Sequence, residues 1–130
     1  MKTRPLTLVS AALAAFVLLF NSGCVAVVAG AGAGAAVAYM RGDLEVNVDA
    51  SLNRAIAATN RAIDQLQFAK VSENTDALVG TIVARNADDK RIEVRLEGSG
   101  NNLTKVRIRV GVLGDEALSM SIYEKIQDNL

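Results

Sequence analysis

The chain has 130 residues with 14 basic and 14 acidic side chains, so its formal charge is zero. That length allows one domain, and the balanced charge excludes the basic excess that drives sequence-independent binding to nucleic acid. Histidine is absent, which removes the commonest general base and metal ligand.

In chain order, the first feature is an N-terminal address. Lys2 and Arg4 form a short basic region, and residues 6–20 form a largely apolar stretch at the upper limit of a signal h-region. A membrane-crossing helix needs about 20 apolar residues, so this stretch alone is short for a permanent span. Asn21-Ser22-Gly23 breaks the run directly before Cys24, the only cysteine, and a single cysteine excludes an intramolecular disulfide. The segment resembles the bacterial lipoprotein signal family, whose lipobox ends in a small residue, then Gly or Ala, then the lipidated Cys. Ser22, Gly23 and Cys24 match those three positions, whereas Asn21 departs from the usual Leu. The resemblance implies a signal peptide over 1–23, diacylglycerol on the Cys24 sulfur, cleavage after Gly23 and acylation (palmitate-type) of the new amino group. Several acyl chains anchor stably where one binds reversibly. Val25, rather than Asp, after the cysteine implies the outer membrane rather than retention at the inner one. Three alternatives stay open: an uncleaved membrane helix within 6–40, cleavage near Ala29-Gly30-Ala31, and a free cysteine without function.

Residues 24–42 follow as a Gly/Ala-rich linker. Gly30, Gly32 and Gly34 half satisfy a dinucleotide fingerprint, but no domain strand precedes them and Asp49 ends none, so that reading fails. The spacing of Gly30 and Gly34 also suits close helix packing in lipid, which leaves self-association as a second reading beside the linker. Arg41-Gly42-Asp43 marks a turn into the domain.

The domain is expected over 43–130, at a size that buries roughly 60–70% of its unfolded surface. Leu52, Ile56, Thr59, Ile63 and Leu66 recur at helical steps, which predicts a helix from about Ala50 to Gln67 capped by Asp49 or Ser51. Strands are predicted at 77–85, 91–97 and 105–110, with a weak fourth at Phe68–Glu73. In the second and third of these, Ile92, Val94, Leu96, Val106, Ile108 and Val110 alternate with charged residues, the mark of an antiparallel sheet with one wet face. Asn86–Lys90 and Gly98–Asn102 are the turns. Asp115 opens a last helix, whose stripe is Leu118, Ile122 and Ile126. The predicted class is α+β: an antiparallel three- to four-stranded meander with two helices, in the order α-β(3–4)-α, packed on one face.

This arrangement is similar to a family of small bacterial lipoproteins carried as a domain of unknown function. The lipobox, the Gly/Ala stretch, an Arg-Gly junction and the helix start Gly114 through Ser119 (Gly-Asp-Glu-Ala-Leu-Ser) carry the likeness. It implies no activity.

Little in the domain meets the requirements of catalysis. Asp88-Asp89 sits in a turn, Asp115 and Glu116 are adjacent at a helix start, and Ser119 and Lys125 point apart on one helix, so no enzyme and no cofactor or metal site is expected. Asn102-Leu103-Thr104 matches a glycosylation sequon, which the resemblance to a bacterial signal implies is a coincidence of sequence. The one feature above background is a basic stripe of Arg91, Arg95, Lys105, Arg107 and Arg109. It is either a solvated face paired with Glu93 and Glu97, or a patch for an anionic envelope partner. The expectation is a lipoprotein tethered to the membrane through Cys24, with a non-catalytic structural or interaction domain in the cell envelope. A secreted binding module for an anionic partner and a small-residue membrane oligomer are the alternatives.

Overall fold

In the computed structural model, the described residues are Val27–Val28 and 37–130. Among them the chain forms β1 (Val27–Val28), β2 (Val37–Met40), β3 (Asp43–Val48), α1 (Leu52–Gln65), β4 (Ala69–Thr75), β5 (Val79–Arg85), β6 (Arg91–Gly98), β7 (Thr104–Val110) and α2 (Glu116–Asp128). The strands make one sheet in the order β1-β2-β3-β7-β6-β5-β4, with every neighbouring pair antiparallel.

The class is α+β with both helices on one face, as expected, but the sheet is wider than the predicted meander. β4 through β7 are the anticipated strands. β1, β2 and β3 were not foreseen, so the sheet reaches back into the segment read as a linker before Asp43. β2 and β3 form a two-residue hairpin whose turn, Arg41 at φ 54 and Gly42 at φ 88, has the positive dihedrals such a tight turn demands. β3 then pairs with β7, and α1 carries the chain across to the far edge at β4.

Strand alternation decides which face is dry. Leu44, Val46 and Val48 of β3, Ile92, Val94 and Leu96 of β6, and Val106, Ile108 and Val110 of β7 are all buried under the helices. Ile56 and Ile63 of α1 and Ile122 and Ile126 of α2 close this core. Ala55, Ala58 and Ala62 occupy the same buried face of α1, which keeps its backbone near its neighbours. Ser51 caps α1 by accepting from the Arg54 amide at 3.4 Å, and Asp115 caps α2 by accepting from the Leu118 amide at 3.0 Å. The C-terminal end of α2 is tied to α1, where Asn129 donates to Gln65 at 3.0 Å and Arg61 donates to the Asn129 carbonyl at 3.3 Å.

Two details of the periphery recur below. β4 is an edge strand with all seven residues exposed, and its register with β5 shifts between Lys70 and Ser72. At the other side, the β2–β3 turn packs against the loop before α2. A Cβ built on Gly114 would lie 2.4 Å from the Gly42 Cα and 2.5 Å from the Tyr39 hydroxyl. The Arg41-Gly42 junction and the Gly114–Ser119 helix start, distant in sequence, therefore touch.

Candidate functional site

The face of the sheet away from the helices is a lattice of charge. On β7, Lys105, Arg107 and Arg109 alternate with the buried valines and isoleucine; on β6, Arg91, Glu93, Arg95 and Glu97 do the same. The structure brings the five predicted basic residues onto one face, but the three on β7 pair with carboxylates other than the expected Glu93 and Glu97. Arg107 and Lys105 share Glu45, at 2.7 and 3.0 Å, and Arg109 meets Asp43 at 2.9 Å. Glu93 and Glu97 instead pair along their own strand, with Arg91 at 3.0 Å and Arg95 at 2.8 Å. The difference arises because β3 lies beside β7 and supplies two carboxylates that no three-strand reading contains.

The face is therefore close to neutral and half-exposed. Like charges lie directly opposite each other twice on this face, Arg85 and Arg91 across the β5–β6 pair and Arg95 and Arg107 across the β6–β7 pair, an arrangement that destabilises. A shallow depression of about 210 Å³ lies at the second of these, lined by Asp43, Glu93, Arg95, Arg107 and Arg109. Carboxylates as well as guanidiniums line it, so an incoming anion competes with groups already in place.

Glu45 is the most constrained of these carboxylates. The hydrogen bond from Lys105 is the largest cause holding it below the usual carboxylate range; partial burial opposes this, and Arg107 adds to the lowering. Arg95 lowers Glu97 in the same way, and the Leu118 amide, then Lys90, lowers Asp115. A folded-state value below the unfolded one stabilises at neutral pH, and that stabilisation is lost as the pH falls through the carboxylate range and below about 4. Thermal melts should accordingly drop as acid is added, and Glu45→Gln should flatten part of that drop. The effect of this pair should be about 5 °C or less, since exposed ion pairs contribute little. An unchanged acid slope in the variant would show that Glu45 plays no part.

No catalytic constellation forms among the described residues. Asp88 and Asp89 are in the β5–β6 turn, where Asn86 Oδ1 accepts from the Asp88 and Lys90 amides, and Asp89 pairs with Arg85. Ser119 is fully buried with its hydroxyl unpartnered among the described residues, whereas Lys125 reaches Asp128 at 3.5 Å. No group of three or more acidic or thiol side chains is placed to hold a metal among the described residues. Asp43 of the Arg-Gly-Asp tripeptide is engaged with Arg109. Cys24 and Gly30, Gly32 and Gly34 lie outside the described residues. Among the described residues no helix is long and apolar enough to cross a membrane.

One surface feature escaped the sequence reading. In the β7–α2 loop, Val112 and Leu113 are 87% and 91% exposed, and Met40 at the end of β2 is 55% exposed. The loop is fixed rather than loose: Arg109 donates to the Val112 carbonyl at 3.0 Å, and Gly114 is pressed against Gly42. The signal was present in Gly111-Val112-Leu113-Gly114, two large apolar residues between glycines, but period alone assigned them to no element. Beneath the loop is an open cleft of about 400 Å³ bordered by Lys90 and Asp115, which join in an ion pair at 3.3 Å.

A family model described as "Protein of unknown function (DUF3568)" matches residues 7–129. No curated protein matches the chain.

Proposed function

The protein belongs to the DUF3568 family, to which no function is assigned, and we propose from its own residues that it is a membrane-anchored lipoprotein with a non-catalytic domain facing the periplasm. One observation carries this reading: the sole cysteine follows Asn21-Ser22-Gly23 immediately after a basic start and an apolar stretch. On this reading the tether and the sheet are close in the chain, because β1 begins at Val27, three residues after Cys24. The domain's contribution is structural or interactive: the charges of its sheet face are paired with one another, and its chemistry-bearing residues are dispersed. By the lipoprotein sorting pattern, Val25 favours the outer membrane.

Intact-mass analysis of protein extracted from membranes tests the reading. The mature chain should begin at Cys24 and carry acyl mass, and Cys24→Ser should leave an unprocessed or soluble species. An unmodified chain starting at Met1, or a start near Gly32, would sink the proposal.

A second reading, an anionic envelope partner held on the sheet face, is favoured by the opposition of Arg95 and Arg107. Binding of that kind is electrostatic and weakens as salt rises.

A further inference from the structure

Exposed hydrophobic residues scattered singly need no explanation, and Leu78, 67% exposed in the β4–β5 turn, is one of these. Val112 and Leu113 differ. They are adjacent, almost wholly exposed, and held outward by a loop that Arg109 and the Gly42–Gly114 contact immobilise. Met40 borders them through the same turn, since it pairs with Asp43, which holds Arg109.

Strand direction relates this apolar tip to the tether. β1 is antiparallel to β2 with Val27 opposite Ala38 and Val28 opposite Val37, so the chain enters β1 from the side of Met40. Chain connectivity keeps Cys24 within about 11 Å of Val27, three residues at full extension. Ala38 is only two strand residues from Met40, about 7 Å. The side from which the tether reaches the fold is thus the end of the sheet that displays Met40, Val112 and Leu113. Leu78 is at the opposite end, beside Val79, which pairs with Glu97.

We infer that the β7–α2 loop, with Met40, is the face that rests in the lipid surface, with Val112 and Leu113 inserted at the boundary of headgroups and acyl chains. This rests on the lipid-anchored reading above. Two apolar side chains bind a bilayer only weakly by themselves, but a tether on the same side holds them at high effective concentration against it. Charge is not the attraction. The carboxylates Asp43, Asp89 and Asp115 at this end are each matched, by Arg109, Arg85 and Lys90, and the exposed Arg41 of the turn is offset by the exposed Asp88 and Glu116, so this end carries no cationic excess. Docking is therefore expected on zwitterionic lipid and should not respond to salt.

The native chain has no tryptophan, so a single indole reports its own depth. Full-length acylated Leu113→Trp and Leu78→Trp proteins, with Val112→Trp as a second tip reporter, would be reconstituted into vesicles of brominated phosphatidylcholine. Both original side chains are exposed, and melting curves matching the wild type would confirm folding. The indole of Leu113→Trp should emit at shorter wavelength and be quenched severalfold more strongly than that of Leu78→Trp, at low and high salt alike. If the proteins float with vesicles and carry acyl mass but neither tip indole is quenched, the tip inference fails and the anchoring stands. Equal quenching at both ends, or tip quenching that salt abolishes, also overturns it, the latter in favour of the arginine face. Absence of acyl mass and of flotation removes the anchoring reading, and the inference with it.

Discussion

Replacing Gly114 by alanine should cost the fold about 2–4 kcal/mol, a sum of left-handed backbone strain and overpacking. Gly114 adopts φ +85, and its added methyl would meet the Gly42 Cα at 2.4 Å and the Gly42 carbonyl oxygen at 2.5 Å. Those two atoms are backbone, so relief requires the β2–β3 turn to separate from the loop before α2, beyond any shift of the Tyr39 hydroxyl. Gly111 offers an internal control, because its φ is +68 but nothing lies within 4 Å of the added carbon. Gly111→Ala should show only the strain, about 1–2 kcal/mol. Urea denaturation of the two variants separates the terms, and equal losses would mean that the contact between the glycines contributes nothing. In a domain with a total stability of roughly 5–15 kcal/mol, the Gly114 change is a sizeable fraction.

Ile108→Ala should be at least as damaging, at about 2–5 kcal/mol. Ile108 is fully buried on β7, in register with Leu44 on one side and Val94 on the other. Both neighbours are themselves fully buried and held by strand pairing, so the cavity has little means to collapse. Val112→Ala removes a side chain that is 87% exposed and should leave the denaturation midpoint nearly unchanged. A loss below about 1 kcal/mol for Ile108→Ala would contradict its place at the centre of the core.

The elements that the sequence disclosed were those whose period is long enough to stand out. The α1 and α2 stripes and the alternation on β6 and β7 each place a full set of apolar residues on one side, and their caps, Ser51 and Asp115, stand where helix entry requires. β3 alternates just as cleanly, with Leu44, Val46 and Val48 inward and Asp43, Glu45 and Asn47 outward. It was missed because it follows a Gly/Ala run that reads as a linker, and because four-residue β2 is too short to show a period. That omission propagated to the candidate site. Without β3 the basic stripe outnumbers its acids by five to two; with it, Glu45 and Asp43 pair with the three basic residues of β7 and leave an excess of one. The apolar tip was illegible for another reason: exposure of a loop residue depends on tertiary contacts, here the meeting of Gly42 with Gly114 and the Arg109 hydrogen bond to the Val112 carbonyl.

The irregular register of β4 bears on how molecules behave when crowded together. A sheet edge ordinarily offers a straight row of unpaired amides and carbonyls to any extended chain that approaches, a route to runaway association. Here the row is interrupted between Lys70 and Ser72, and the Lys70–Glu73 ion pair at 3.0 Å places charge beside the break. A neighbouring copy cannot continue the hydrogen-bond ladder through that kink without stripping water from the pair. The edge thus protects the sheet against growing into an aggregate while leaving Val71, 58% exposed, as an isolated apolar spot too small to recruit a partner.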